Sequence, residues 1–218
     1  MIEVRDAHPD DADAIAAAHI EGWRTGYRHL LPDELLDAPH FAAERTDRWR
    51  AWTWNTITGS QLFVPVMHGR VVGFGHAGPE RVQPTCDASG TALGTVDGTV
   101  DGTASGTPSG TAGSTPGSPA TLLDSGRGRG EVYGFYLHPD SWGSGAAGAL
   151  MARCTESLRT MGFMEAVLWV LRDNPRARAF YEKAGWLATG RHSSFAGSQT
   201  GRPLPEPLPE VEYAISLR

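Results

Sequence analysis

His138-Pro-Asp-Ser-Trp-Gly-Ser-Gly-Ala-Ala-Gly-Ala-Leu150 is the stretch on which the reading of this chain turns. An apolar, aromatic-rich run, Val132-Tyr-Gly-Phe-Tyr-Leu137, leads into it, and an amphipathic helical pattern leads out. The order is therefore strand, glycine-rich turn, helix. Gly143, Gly145 and Gly148 remove side chains where the chain turns, so a ligand can approach the backbone closely. The first amides of a helix lack internal partners and point outward. With the helix dipole they form an anion site suited to phosphate. The turn thus points to a phosphate-bearing cofactor, against the plainer reading of a glycine-softened connection. Two common phosphate motifs do not fit. No Gly-Lys-Ser/Thr follows the turn, which excludes a P-loop. The dinucleotide fingerprint needs three glycines at its own spacing and an acid roughly 20 residues on. Glu165 lies near that distance, but Ala147 and Gly148 are out of phase with the pattern.

The flanking segments decide the matter. Downstream lies a strand pattern, Glu165-Ala-Val-Leu-Trp-Val-Leu171, and then Asn174-Pro-Arg-Ala-Arg-Ala-Phe-Tyr-Glu-Lys-Ala-Gly-Trp186. Together these resemble the GNAT superfamily, the acetyl-CoA-dependent N-acetyltransferases. The family's loop, Gln/Arg-Gly-x-Gly-x-Gly/Ala, corresponds to Trp142-Gly-Ser-Gly-Ala-Ala147 here. Its second motif, Asn-x-x-Ala-x-x-Phe-Tyr-x-x-x-Gly-Phe, corresponds to Asn174–Trp186. The pair at this separation is far more specific than either half. Ile2-Glu-Val-Arg-Asp-Ala-His-Pro-Asp-Asp-Ala-Asp-Ala-Ile15 is similar to the family's first strand and helix. Trp23-Arg-Thr-Gly-Tyr-Arg-His-Leu-Leu-Pro-Asp33 resembles a bacterial subgroup with poorly defined substrates. The resemblance implies an α/β (α+β) fold over residues 1–218. Its mixed central sheet of about seven strands has helices on both faces and a splayed pair of strands around the cofactor.

Bulk properties agree with one such domain. Of the 218 residues, 40% are hydrophobic, enough for a sizeable core. The net charge is −6 with no basic tract, which argues against nucleic acid as a partner and suits a cationic amine. The two cysteines, Cys86 and Cys154, stand in no CxxC pair and near no metal-like histidine cluster. Free thiols in a reducing compartment follow, with no metal. The start lacks a basic-then-apolar signal, and no apolar run spans a bilayer, so a cytoplasmic location without membrane contact is expected. A homodimer is left open.

Along the chain, Ile2–Asp6 alternates as a strand. Pro9 opens a helix, with Asp10, Asp11 and Asp13 in its first turn. A helical region covers about Asp33 to Trp54, broken near Pro39. Gln61–Val66 and Val71–His76 read as strands joined by a turn at His68-Gly69-Arg70. From about 82 to 130 the chain is mostly Gly, Thr, Ser, Pro, Ala and Asp, with the tandem repeat Gly94-Thr-Val-Asp-Gly-Thr-Val-Asp-Gly-Thr103. Such a segment buries too little apolar surface to offset its ordering entropy. It reads as a disordered insertion between two hairpin strands, lacking the spacing of calcium-binding repeats. Helix 146–161 and strand 166–171 follow. Asn174 then caps a helix that begins at Pro175, and Trp186–Thr189 and Val211–Leu217 close the sheet.

The resemblance also implies roles. The loop Trp142, Gly143, Ser144, Gly145, Ala146, Ala147 and Gly148 holds the cofactor's pyrophosphate. Tyr136, Leu137 and His138 contribute backbone contacts to pantetheine, and an amide near Leu137 stabilises the oxyanion. Trp142 stands where the family has Gln or Arg, so one polar or cationic contact is missing. Asn174 is both cap and cofactor ligand. Tyr181 is the general acid, since a phenol of pKa about 10 can protonate a thiolate whose acid lies at about 8.5; core packing is the alternative. Glu131 is the base, or else a solvated strand-end carboxylate. Trp23, Tyr27 and His29 form the substrate wall, with Trp23 equally suited to the core. The activity implied is transfer of an acetyl group from acetyl-CoA to a primary amine of a small molecule or peptide, by direct attack in a ternary complex. The alternative is a non-catalytic acyl-CoA-binding regulatory module.

Overall fold

The computed structural model describes residues 1–52 (of Trp52, the backbone), 57–81, 128–197, 204 and 206–218. The expectations for 82–127, with their Asp-Gly repeat and Cys86, lie outside these residues, as does that for Trp54.

The elements are β1 (Ile2–Asp6), α1 (Ala12–Tyr27), α2 (Asp33–Leu36), α3 (Pro39–Trp52), β2 (Gln61–Met67), β3 (Arg70–Val71), β4 (Gly73–Pro79) and β5 (Gly130–Leu137). Then come α4 (Ala146–Thr160), β6 (Glu165–Leu171), α5 (Pro175–Lys183), β7 (Leu187–Phe195) and β8 (Leu208–Ser216). They build one mixed sheet in the order β1-β2-β4-β5-β6-β8-β7, with the two-residue β3 beside β2. Among the described strands, only β5 and β6 pair in parallel. Each face carries its own apolar cluster. On one, Leu150, Cys154 and Leu158 of α4 and Tyr181 of α5 pack on Phe63, Val132 and Leu168. On the other, Ile15, Ile20 and Trp23 of α1 pack with Phe41 and Trp49 of α3 on Val64 and Phe74. No helix among the described residues is long and apolar enough to cross a membrane.

Boundaries at Pro9 and in the last two strands differ from the sequence reading. Pro9 opens a short 3-10 turn, Pro9–Asp11, before α1 begins. Asp11 is held there by the His8 amide (2.7 Å) and by both Arg5 Nη atoms (2.7 and 2.8 Å), so its side chain closes a capping box over the turn. The last two strands are longer than their apolar cores suggest. β7 is an edge strand and reads as polar, since solvent takes one side of it.

One irregularity shapes the molecule. Between β4 and β5 the register passes from His76↔Gly134 to Ala77↔Val132, leaving Tyr133 as an extra residue. A bulge of this kind bends its strand. The β5–β6 pairing runs Gly130↔Ala166, Glu131↔Val167, Val132↔Leu168 and stops there. Beyond the bulge β5 stays with β4 and leaves β6, which opens a wedge in the middle of the sheet.

Candidate active site

A cleft of about 880 Å³ occupies that wedge. β5 and β6 form its sides, the turn before α4 and the start of α5 one rim, and α1 and the ends of β7 and β8 the other. Tyr136, Leu137, Trp142, Gly143, Ala147, Asn174 and Tyr181 all line it, with Trp23, Tyr27, His29 and Glu131.

The turn leaves its amides free in a regular way. Trp142 N–H bonds to the Pro139 carbonyl and Ser144 N–H to that of Ser141. Ala146 N–H donates to Ser144 Oγ (3.2 Å). Among the described residues, the Gly143, Gly145, Ala147 and Gly148 amides have no such partner at the start of α4. Gly143 (φ 80°) and Gly145 (φ 94°) sit in the left-handed region, which explains glycine at both. Gly148 does not share that reason: it lies inside α4 with open space where a Cβ would go.

Trp142, standing where Gln or Arg was expected, donates its indole N–H to the Leu137 carbonyl (3.2 Å). The Arg176 guanidinium, from the first turn of α5, lies over its ring at 4.1 Å. Arg176 has no ion-pair partner among the described residues and lines the cleft beside Gly143. The cation absent from residue 142 is therefore delivered from α5.

Backbone geometry corrects two expected contacts, those of His138 and Tyr136. His138 N–H is spent on the Val72 carbonyl (2.8 Å), and its carbonyl accepts from Ser141 N–H and Oγ. Neither group is open to a ligand, and the side chain accepts from Asp140 N–H. Amides of successive strand residues point to opposite edges, so Leu137 and Phe135 turn theirs into the wedge and Tyr136 turns its own to β4. Tyr136 reaches the site through its ring, stacked on Phe74.

Asn174 caps α5, its Oδ1 accepting from Ala177 N–H (3.1 Å), and is buried. Tyr181 is buried against Phe135, Trp186 and Tyr213. Burial, then the nearby Tyr136 and Cys154, pushes its phenol well above the usual range. Burial raises Tyr27 likewise, beside Tyr136, Tyr181 and Asn174. Trp23 is 2% exposed and packs edge-on against Tyr27 and at a tilt against Phe195. It is at once core and cleft wall. His29 is exposed at the rim, its Nε2 donating to the Asp173 carbonyl (2.9 Å).

Glu131 is not a solvated strand-end carboxylate. It is fully buried and held by Arg81, whose backbone N–H (2.8 Å) and Nη2 (2.6 Å) both donate to it. The sequence reading missed Glu210. It lies on β8 between Leu171 of β6 and Ser193 of β7, and lines the cleft. Burial, with Glu131 adding and Arg81 opposing, lifts its carboxyl to about 7. A signal existed: Glu210-Val-Glu-Tyr213 alternates, so both acids share one face of a central strand, where a carboxylate needs a partner or a task. The expected strand began one residue later, at Val211.

Comparison with known proteins identifies the family and the fold. A model of the acetyltransferase (GNAT) family matches residues 27–186. The uncharacterized N-acetyltransferase YuaI of Bacillus subtilis (strain 168) is 26% identical over 175 residues, 80% of this chain and 75% of that protein. Among solved structures, the PaiA N-acetyltransferase of Thermoplasma acidophilum, in complex with coenzyme A, superposes with a TM-score of 0.57. It is 13% identical and covers 97% of this chain and 98% of its own. YncA of Salmonella typhimurium, solved with its cofactor acetyl-CoA, gives 0.53 at 16% identity, over 100% and 95%.

Proposed function

Since the chain belongs to the acetyltransferase (GNAT) family, we propose that it moves an acetyl group from acetyl-CoA to a primary amine of a small molecule or peptide, by direct attack in a ternary complex. One observation carries this reading: Gly143 and Ala147, whose amides are free at the start of α4, line the same wedge as Tyr181. Unpartnered amides at a helix start suit a pyrophosphate, and Arg176, positioned by Trp142, adds a cation to them. Outward amides of Phe135 and Leu137 suit an extended pantetheine chain laid along the strand, as an added strand would lie. In this reading the Leu137 amide steadies the developing oxyanion. Asn174 offers its amide nitrogen, because its Oδ1 is taken by the cap. Tyr181 returns a proton to the departing thiolate. YncA and PaiA, solved with acetyl-CoA and coenzyme A, make the same ligand the first to test here.

Calorimetry with acetyl-CoA tests the reading, followed by a screen of amines, peptides and aminoglycosides that monitors thiol release. Gly145→Glu would force a side chain into φ 94° and set a carboxylate against the pyrophosphate. A loss of affinity of about 100-fold or more is expected. Equal affinity of the two proteins would overturn the site. Tight binding without thiol release for any acceptor would favour the non-catalytic module.

A further inference from the structure

We propose that Glu210 is the catalytic base, its carboxylate taking the proton from the acceptor's ammonium group within the cleft that holds Tyr181. The proposal rests on the acetyl-transfer reading above and adds the group that prepares the nucleophile. Three glutamates stand in the middle of the sheet. Glu131 is fully buried and saturated by Arg81. Glu212 is fully buried and held by Arg129 (3.1 Å) and Arg191 (3.0 Å). Glu210 lines the cleft, and its carboxylate makes no hydrogen bond or ion pair among the described residues. Its backbone is pinned in register on both sides, by Leu171 and by Ser193. A carboxylate left unpaired on a rigid strand and facing a ligand cleft is placed for work rather than for support.

The surroundings set its strength. Arg81 and Glu131 face it from the neck of the β4–β5 hairpin and Tyr136 from β5, and they largely cancel in charge. Burial decides, and a carboxyl lifted toward 7 is matched to proton transfer at neutral pH. Glu131 is already engaged by the Arg81 ion pair. The balance is complete. Glu210 takes one ammonium proton and later loses it to solvent. The freed lone pair attacks the thioester carbon, so a C–N bond forms and the C–S bond breaks. Tyr181 gives its proton to the thiolate and regains one from the nitrogen.

Two measurements test the assignment. Carbon-13 NMR of the full chain with labelled glutamate, using Glu210→Gln to assign the signal, should show a midpoint near pH 7. A midpoint in the ordinary carboxylate range would overturn it. Turnover is compared with two probe amines: phenethylamine, protonated at neutral pH, and aniline, already neutral. Glu210→Gln should cut kcat/KM for phenethylamine about 100-fold and for aniline far less, since aniline needs no base. It should also abolish the acid limb of the phenethylamine pH profile, with the melting temperature and acetyl-CoA affinity retained. Equal losses with both amines would overturn the proposal. If wild-type protein binds acetyl-CoA but acetylates neither amine, that counts against the transfer reading; the titration then decides on Glu210 alone.

Discussion

On the proposed reading, Tyr181 serves packing and chemistry together. Its ring is wedged among Phe135, Trp186 and Tyr213, and its phenol stays protonated because burial raises it. The same shift makes it a weaker acid. Its help to a thiolate whose own acid lies at about 8.5 therefore belongs at the low end of general acid catalysis. Tyr181→Phe should keep the melting temperature and the affinity for acetyl-CoA while turnover falls about 100-fold near neutral pH. The deficit should shrink above pH of about 8.5, where the thiolate leaves without a proton. A rate profile from pH 6 to 10, under conditions where chemistry limits turnover, checks this. An unchanged rate would assign the tyrosine to the core alone. The Phe180-Tyr181 pair and Asn174 were legible in sequence because they recur at fixed spacing within one helix. Glu210 was not, because its meaning lies in what it lacks. Only the folded sheet shows that Glu131 and Glu212 have arginine partners and that, among the described residues, Glu210 has no such ion pair.

At the scale of elements, the sequence marked what obeys a local rule. Ala166–Leu171 is a continuous apolar run, as a strand buried on both faces must be, and β6 is the parallel partner of β5. Gly143 and Gly145 were readable because positive φ leaves few other choices. The bulge at Tyr133 was not, since it is a register between two strands separated by the undescribed segment; the neighbouring Gly134 was its only local hint. Packing between elements was equally hidden. Gly75 of β4 lies under α4, and a Cβ there would sit 2.6 Å from Cys154 Sγ and 3.2 Å from Leu150 Cγ. Gly75→Ala should thus destabilise by about 1–3 kcal/mol through overpacking. At roughly 2–4 °C per kcal/mol for a chain of this size, the melting temperature should fall by about 2–12 °C. Cys154→Ala removes the atom in the way. The double variant should be more stable than the two single losses predict, with a coupling of about 1 kcal/mol. Strictly additive losses would show that Cys154 is not what α4 presses on that strand.

For the molecule as a whole, the wedge depends on two strands joined across a long stretch of chain, so the neck of that connection matters. It is closed tightly. β4 and β5 pair out to Pro79↔Gly130, and Glu80 N–H then donates to the Arg129 carbonyl at 2.9 Å. Arg129 ion-pairs with Glu80, and Arg81 reaches back to Glu131. Every one of these groups lies before residue 84 or after residue 127. The intervening composition, dominated by Gly, Thr, Ser and Pro, offers little apolar surface to a core. Closing a loop costs entropy that grows by about 0.6 kcal/mol for each doubling of its length. Replacing residues 84–127 with a Gly-Ser turn of about six residues shortens the loop by almost three doublings. Stability should rise by about 1–2 kcal/mol, which raises the melting temperature by roughly 2–8 °C. Affinity for acetyl-CoA should hold, because neither the α4 turn nor Arg176 is touched. Thermal unfolding and calorimetry of the shortened chain check both statements. A fall in melting temperature of more than about 5 °C would mean that residues 84–127 contribute packing which their composition does not suggest. A loss of affinity with stability intact would instead place part of that segment at the cleft.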